Sequence, residues 1–190
     1  MSAGASRTEI DFKDATKQLQ KGDHISVNGL SSVGCCLSSS SFYYHEGIYS
    51  DGYVYHFSGD TQQDAKVKKS TIKEFLRGRN VLYRSNYNGQ SCYDSQRVVE
   101  RAEEIFQNGT WAGYQPIFNN CEHFATYCKT GNAYSNQVKF IFNITHSFIA
   151  VACAVLIVML CVLCTFAIGS GIVEKFLRSL HTRMNWVETF

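Results

Sequence analysis

The stretch Phe42 to Ser58, FYYHEGIYSDGYVYHFS, consists of two aromatic and β-branched runs on either side of Asp51-Gly52. Such runs fit a pleated, half-buried surface, and Asp-Gly favours a two-residue hairpin loop. The stretch therefore reads as a β-hairpin whose loop sets the register: Ser50 opposite Tyr53, Tyr49 opposite Val54, Gly47 opposite His56 and His45 opposite Ser58. In that register His45 and His56 share a face as diagonal neighbours, and Gly47 leaves space beside His56. A one-residue slip of either strand would put the two imidazoles on opposite faces.

Working outward, Asp23 to Val27 alternates apolar Ile25 and Val27 with polar neighbours, as a short strand would. Between it and the hairpin, the serine-rich segment Gly29 to Ser41 surrounds Cys35 and Cys36 and reads as a mobile loop. Acylation of either cysteine near a bilayer is one further reading of that loop. Residues 1 to 20 carry charges every few positions and are expected to form a flexible or weakly helical lead-in. Lacking an apolar run, they cannot act as a secretory signal, so the soluble part is expected in the cytosol. Downstream of the hairpin, Lys66 to Arg84 holds seven basic residues and one acid, Glu74. This stretch fits a solvated face or a patch for anionic lipid headgroups.

Asp94 to Gln107 has a helix signature: a cap at Asp94 or Ser95, then Val98, Val99, Ala102, Ile105 and Phe106 on one stripe, with Gly109 past the end. A second helix is expected to begin at Asn119 or Asn120 and stop at Gly131. Cys121 then falls in its first turn. There the unpaired N–H groups and the positive end of the dipole would stabilise a thiolate, lowering the cysteine pKa, and could hold an oxyanion. A histidine from a neighbouring strand, steered by a second polar group, would complete a constellation for covalent acyl transfer. His45 and His56 are the available pair. His123, two residues from Cys121, points to another side of the helix and is assigned to supporting it; His24, His146 and His181 are assigned to structure or surface.

At 190 residues the chain has room for one domain and an extra segment. Hydrophobic content of 45% against 18% charged residues, with a single proline, excludes a disordered polyelectrolyte and a proline-rich scaffold. A net charge of +2 gives no global attraction for nucleic acid. Phe140 to Val173, 34 residues, contains no Lys, Arg, Asp or Glu. Within it Phe148 to Ile168 is long enough to cross a hydrocarbon core about 30 Å thick. Twelve of its residues are Leu, Ile, Val or Phe, which favour insertion by about −4 to −7 kcal/mol. Cys153, Cys161 and Cys164 lie in that span, leaving an odd five in the soluble part. Neither a disulfide framework nor a structural zinc site fits their spacing.

The string Asn120-Cys121-Glu122-His123-Phe124 resembles the nucleophile motif of the lecithin:retinol acyltransferase family, which includes phospholipase A/acyltransferase enzymes related to the NlpC/P60 fold. His45-Glu46-Gly47-Ile48-Tyr49 through His56 looks like the family's histidine box. Arg101-Ala102-Glu103-Glu104 and Gly22-Asp23 are weaker matches, and together these motifs cover about residues 20 to 132. Glu46 stands where an aromatic residue often follows the first histidine, and the inter-histidine spacing is a little short.

The resemblance implies an α+β, circularly permuted papain-like (NlpC/P60-type) domain with a small antiparallel sheet packed on helices, plus one C-terminal transmembrane helix. The boundaries expected are a lead-in at 1–20, a catalytic domain at 21–135, a juxtamembrane linker at 136–147, the span at 148–168 and a tail at 169–190. Carried over residue by residue, Cys121 would be the nucleophile, His45 its general base and His56 the orienting third member, with no cofactor and no metal. The activity implied is a membrane-anchored thiol phospholipase A1/A2 and acyltransferase. It would move an acyl group from a glycerophospholipid, through a Cys thioester, to water or the amine of phosphatidylethanolamine. The alternatives are retinol O-acyl transfer by the same acyl-enzyme, a catalytically idle membrane adaptor, and a cysteine protease. The expected partners are bilayer glycerophospholipids, with no nucleic acid, and the expected location is a single-pass membrane protein with its catalytic domain on the cytosolic side.

Overall fold

The computed structural model describes residues 6–28, 43–111, 113, 115 and 117–187. The loop expected at Gly29 to Ser41, with Cys35 and Cys36, lies outside the described residues. In chain order the elements are β1 (Ser6–Asp11), a 3-10 turn, α1 (Ala15–Gln18), β2 (His24–Asn28), β3 (Tyr44–Ser50), β4 (Tyr53–Ser58) and β5 (Lys66–Thr71). They continue with α2 (Ile72–Leu76), β6 (Val81–Asn86), α3 (Ser95–Asn108), α4 (Cys121–Thr130) and α5 (Asn136–Val187). The strands form one antiparallel sheet in the order β1-β6-β2-β3-β4-β5. Sheet and helices together give an α+β architecture.

The β3–β4 hairpin has the register set by its loop: Ser50 pairs with Tyr53, Tyr49 with Val54 and Gly47 with His56. Asp51 and Gly52 both take positive φ, 48° and 87°, as a primed two-residue turn demands. Beyond Gly47 the strands part, so the pairing expected between His45 and Ser58 is absent from the ladder. The reason lies in where the backbone of β3 points. Tyr49 exchanges hydrogen bonds with the β2 side, donating to Asp23 O and accepting from Gly22 N, so even-numbered residues of β3 face β4. At Tyr44 that position is filled by a side chain, because Gln137 Oε1 accepts from Tyr44 N at 2.7 Å and Gln137 Nε2 donates to Tyr44 O at 3.2 Å.

Alternation along the strands gives the sheet two different faces. On one, Ile48, Tyr55, Phe57 and Val67 pack with Val98, Ala102 and Ile105 of α3 and with Cys121, Phe124 and Cys128 of α4. On the other, Ile10, Ile25, Val27, Tyr49, Val54 and Leu82 pack with Phe75 and Leu76 of α2. Each face buries a full apolar layer, which is the main stabilising term for a sheet of this size.

Residues 1–20 do not behave throughout as the expected lead-in. Ser6–Asp11 forms β1, paired with β6 from Ser6↔Asn86 to Asp11↔Val81, and Ile10 is buried. Its polar, charged sequence suits an edge strand, where one side of the ladder meets water. Nor is the basic stretch one surface. Lys66, Lys68 and Lys69 lie on edge strand β5, whereas Arg84 lies on β6, with three strands between them. Lys69 pairs with Glu103 at 3.3 Å and Arg84 with Asp23 at 3.7 Å.

The two expected helices start and stop on their caps. Asp94 accepts from Arg97 N and Gly109 ends α3 at φ 60°; Asn120 caps α4 and Gly131 ends it at φ 82°. From Asn136 to Val187 the chain is one continuous helix, which includes 136–147 and runs on past 168. No proline interrupts it, and in lipid a helix satisfies its own backbone. The chain divides into two compact units, Met1–Phe140 and Ile141–Phe190. In the second, one helix is long and apolar enough to cross a membrane, with a mean hydropathy of 3.0 in its most apolar window.

Candidate active site

Cys121 is the first residue of α4 and is 1% exposed. Asn120 builds the turn beneath it, its Oδ1 accepting from Glu122 N at 3.0 Å and His123 N at 3.1 Å. Two donors that the sequence offered to an oxyanion are therefore consumed by the cap. His123 belongs to the same cap, with Nδ1 2.9 Å from Asn120 Oδ1. The buried Glu122 carboxylate accepts from Ser135 Oγ, from Asn136 N at 2.9 Å and from Gln137 N at 3.1 Å, so it caps the first turn of α5.

The sulfur lies against the open edge of β3. Tyr44 O is 3.8 Å from Sγ, the Glu46 N–H donates to it, and Tyr43 Oη is 3.3 Å away. Tyr44 and Glu46 flank His45, so the thiol is held by the backbone on both sides of that histidine. The His45 ring points to the other face. Its Nε2 is 2.9 Å from His56 Nδ1, His56 Nε2 is 3.0 Å from Ser70 Oγ, and both rings pack on Phe75 at centroid separations of 5.3 Å. The structure thus brings His45 and His56 together in a relay that ends on Ser70. Among the described residues, no hydrogen bond joins Sγ to either imidazole.

Burial dominates the electrostatics. Desolvation, with the negative charge of Glu46 and Glu122 nearby, pushes the Cys121 thiol up to about 12, against the lowering expected from the helix dipole. Desolvation lowers His56 to about 4, helped by Lys68 and Arg77. It also holds His45 well below the usual imidazole value, with His56 and Arg77 adding to the effect. At neutral pH the site rests as a neutral thiol beside two neutral imidazoles. Among the described residues no group of three or more His, Cys, Asp or Glu side chains could hold a metal ion.

The sequence reading missed the polar residues that hold this edge in place. Glu46 is fully buried; its Oε1 accepts from Arg7 Nη2 at 2.9 Å and from Gln137 Nε2 at 2.9 Å, and its Oε2 lies against His24 Nε2. A lone carboxylate inside an aromatic strand was the available signal, since a buried charge requires partners.

A sequence profile described as lecithin retinol acyltransferase matches residues 17–134, more than half of the chain. The chain belongs to the lecithin retinol acyltransferase family. It is 32% identical over 77 residues to the lecithin retinol acyltransferase of Homo sapiens, a match covering 38% of this chain and 31% of that protein. The Bos taurus lecithin retinol acyltransferase is 32% identical over 85 residues, covering 42% and 35%. Egg-laying defective protein 26 of Caenorhabditis elegans is 29% identical over 163 residues, covering 74% and 46%. The chain therefore spans less than half the length of these curated relatives. Both motif regions, His45–His56 and Asn120–Phe124, fall inside the residues that match the family.

Proposed function

We propose that this protein is a membrane-anchored thiol acyltransferase and phospholipase A, with Cys121 as nucleophile, His45 as general base and His56 as the orienting third member. The observation that carries the reading is the seating of Sγ on the backbone flanking His45, whose Nε2 is 2.9 Å from His56. A neutral imidazole can accept a proton, and the thiol has one to give. At rest the transfer is uphill, because both groups are buried in their neutral forms. The thiolate therefore forms as the ester carbonyl carbon arrives, with the His45 ring turning from its packed position to take the proton.

Sulfur then bonds to the carbonyl carbon, and the lysophospholipid leaves with the proton from the imidazolium. The acyl group stays as a thioester until water yields a fatty acid or the amine of phosphatidylethanolamine yields an N-acyl lipid. With Glu122 N and His123 N taken by Asn120, the Cys121 amide is the remaining first-turn donor for the oxyanion. The anchor places the domain where its substrate is confined, which raises effective concentration without tighter binding. The free thiols Cys92, Cys121 and Cys128 suit a reducing cytosolic side. The circularly permuted papain-like order agrees with strands carrying the histidines before the helix carrying the thiol.

Intact-protein mass spectrometry after incubation with labelled phosphatidylcholine tests the reading. Wild type gains one acyl mass on Cys121, and C121A gains none; an undiminished adduct in C121A removes Cys121 from the mechanism. A second reading, retinol as acceptor, is favoured by the names of the mammalian relatives. Competition between retinol and phosphatidylethanolamine for one acyl-enzyme preparation separates the two.

A further inference from the structure

The open edge of β3 that seats the sulfur is held from outside by three side chains distant in sequence, Arg7, His24 and Gln137. Glu46 supplies both parts of the connection: its N–H donates to Cys121 Sγ, and its carboxylate is the centre of a buried cluster. Arg7, from β1, reaches that carboxylate at 2.9 Å and also stacks its guanidinium 4.1 Å from the centre of the Tyr44 ring. His24, from β2, lies against the other carboxylate oxygen, and its Nδ1 is 2.6 Å from Tyr87 Oη. Gln137 joins Glu46 Oε1 to both backbone groups of Tyr44. All of these groups converge on Tyr44 and Glu46, the residues on either side of His45.

We propose that Arg7, His24 and Gln137 clamp the buried Glu46 carboxylate and thereby position the sulfur of Cys121 at the open edge of β3, making the N-terminal strand a working part of the active site. The inference rests on the reading of Cys121 as nucleophile, and it concerns positioning residues, which reach the sulfur only through the backbone N–H of Glu46. A simple core role is a poor explanation for the cluster, because a buried ion pair contributes little net stability over an apolar replacement. What the cluster does supply is a fixed strand edge whose backbone groups, freed from β4, are taken up by Gln137 at Tyr44 and by the sulfur at Glu46, which an apolar side chain could not hold. It has a second consequence. The groups facing the thiol are the Glu46 carboxylate from β3, Glu122 from α4 and the Tyr43 hydroxyl. Burial is the main cause that keeps the thiol protonated, and of the charged groups Glu46 adds most to it.

The test uses the full chain in lipid nanodiscs and follows iodoacetamide alkylation of the Cys121 peptide by mass spectrometry from pH 7 to 10. E46Q keeps the shape and loses the charge. A thiol pKa lower by one unit gives about tenfold more thiolate, offset by lower nucleophilicity, so Cys121 alkylation rises about threefold while Cys92 is unchanged. R7M leaves the carboxylate short of a partner; acyl-enzyme formation from phosphatidylcholine falls about tenfold in kcat with KM unchanged, and R7K restores most of it. An E46Q alkylation profile matching wild type, or an R7M defect confined to thermal stability, overturns the clamp. Alkylation does not require that Cys121 be catalytic. An altered E46Q profile together with a normal acyl adduct in C121A would therefore retain the clamp and sink the nucleophile assignment.

Discussion

Two buried residue types give this protein opposite responses to pH. His56 has its pKa lowered from 6.5 to about 4 by burial, so below pH 6.5 the unfolded chain binds the proton more readily than the native one. Stability is intact above pH 6.5 and declines as pH falls toward 4, by at most about 3 kcal/mol for this group. H56Q should flatten that part of the acid arm in urea titrations taken from pH 7 to 4. Cys121 and Cys128, both raised from 9.0 to about 12, act at the other end. Above pH 9 the unfolded thiols ionise while the native ones do not, so stability falls with rising pH, and C128A should lessen that fall. At the same scale Gly47 has no room for a side chain, since an added Cβ would sit 2.6 Å from Val54 Cγ1 and 2.7 Å from Tyr55 O. G47A should lower Tm and widen the spacing of the histidine pair, detectable as a changed pH profile of acyl-enzyme formation.

At the scale of elements, α4 depends on its cap more than on its length. Its ten residues are too few for a stable isolated helix, and Asn120 satisfies two of its first amides. N120A should cost about 1 to 2 kcal/mol, a Tm drop of several degrees. It should also loosen the turn that carries Cys121, so acyl-enzyme formation is expected to fall by more than the stability loss accounts for. N120D, which retains an accepting oxygen, should recover the Tm in the same calorimetric series. The hairpin is the second controlling element. Its turn puts His45 and His56 on one face, and its early opening at Gly47↔His56 leaves the β3 edge to which the sulfur docks.

At the scale of the whole molecule, the chain divides into two compact units, Met1–Phe140 and Ile141–Phe190. The first contains both apolar layers and the candidate site, and the second contains the apolar helix segment. Ending the chain after Phe140 should leave the first unit folded, with an unchanged cooperative melt by circular dichroism. Its rate on a water-soluble short-chain ester should match that of the full chain, while its turnover on phosphatidylcholine vesicles falls at least about a hundredfold through loss of tethering. Equal turnover of the two forms on vesicles would show that the helix contributes nothing to substrate access.

Local chemistry was enough to read the hairpin register as far as Gly47 and His56, both capped helices and the apolar span. Each of these rests on contacts between residues close in sequence: a turn dipeptide, a cap, a periodic stripe. The β1 strand was missed because its pairing with β6 joins Ser6 to Asn86, and nothing in a polar edge strand announces a partner so far along the chain. The state of Cys121 was misread for a related reason. A helix N-terminus lowers a thiol pKa when water is near, but burial and the Glu46 charge, both products of packing, reverse the sign. The sequence by itself determined which elements carry Cys121, His45 and His56. Only the tertiary structure decided that the sulfur meets the backbone around His45 at an open strand edge, because desolvation and long-range pairing exist only once distant segments have packed.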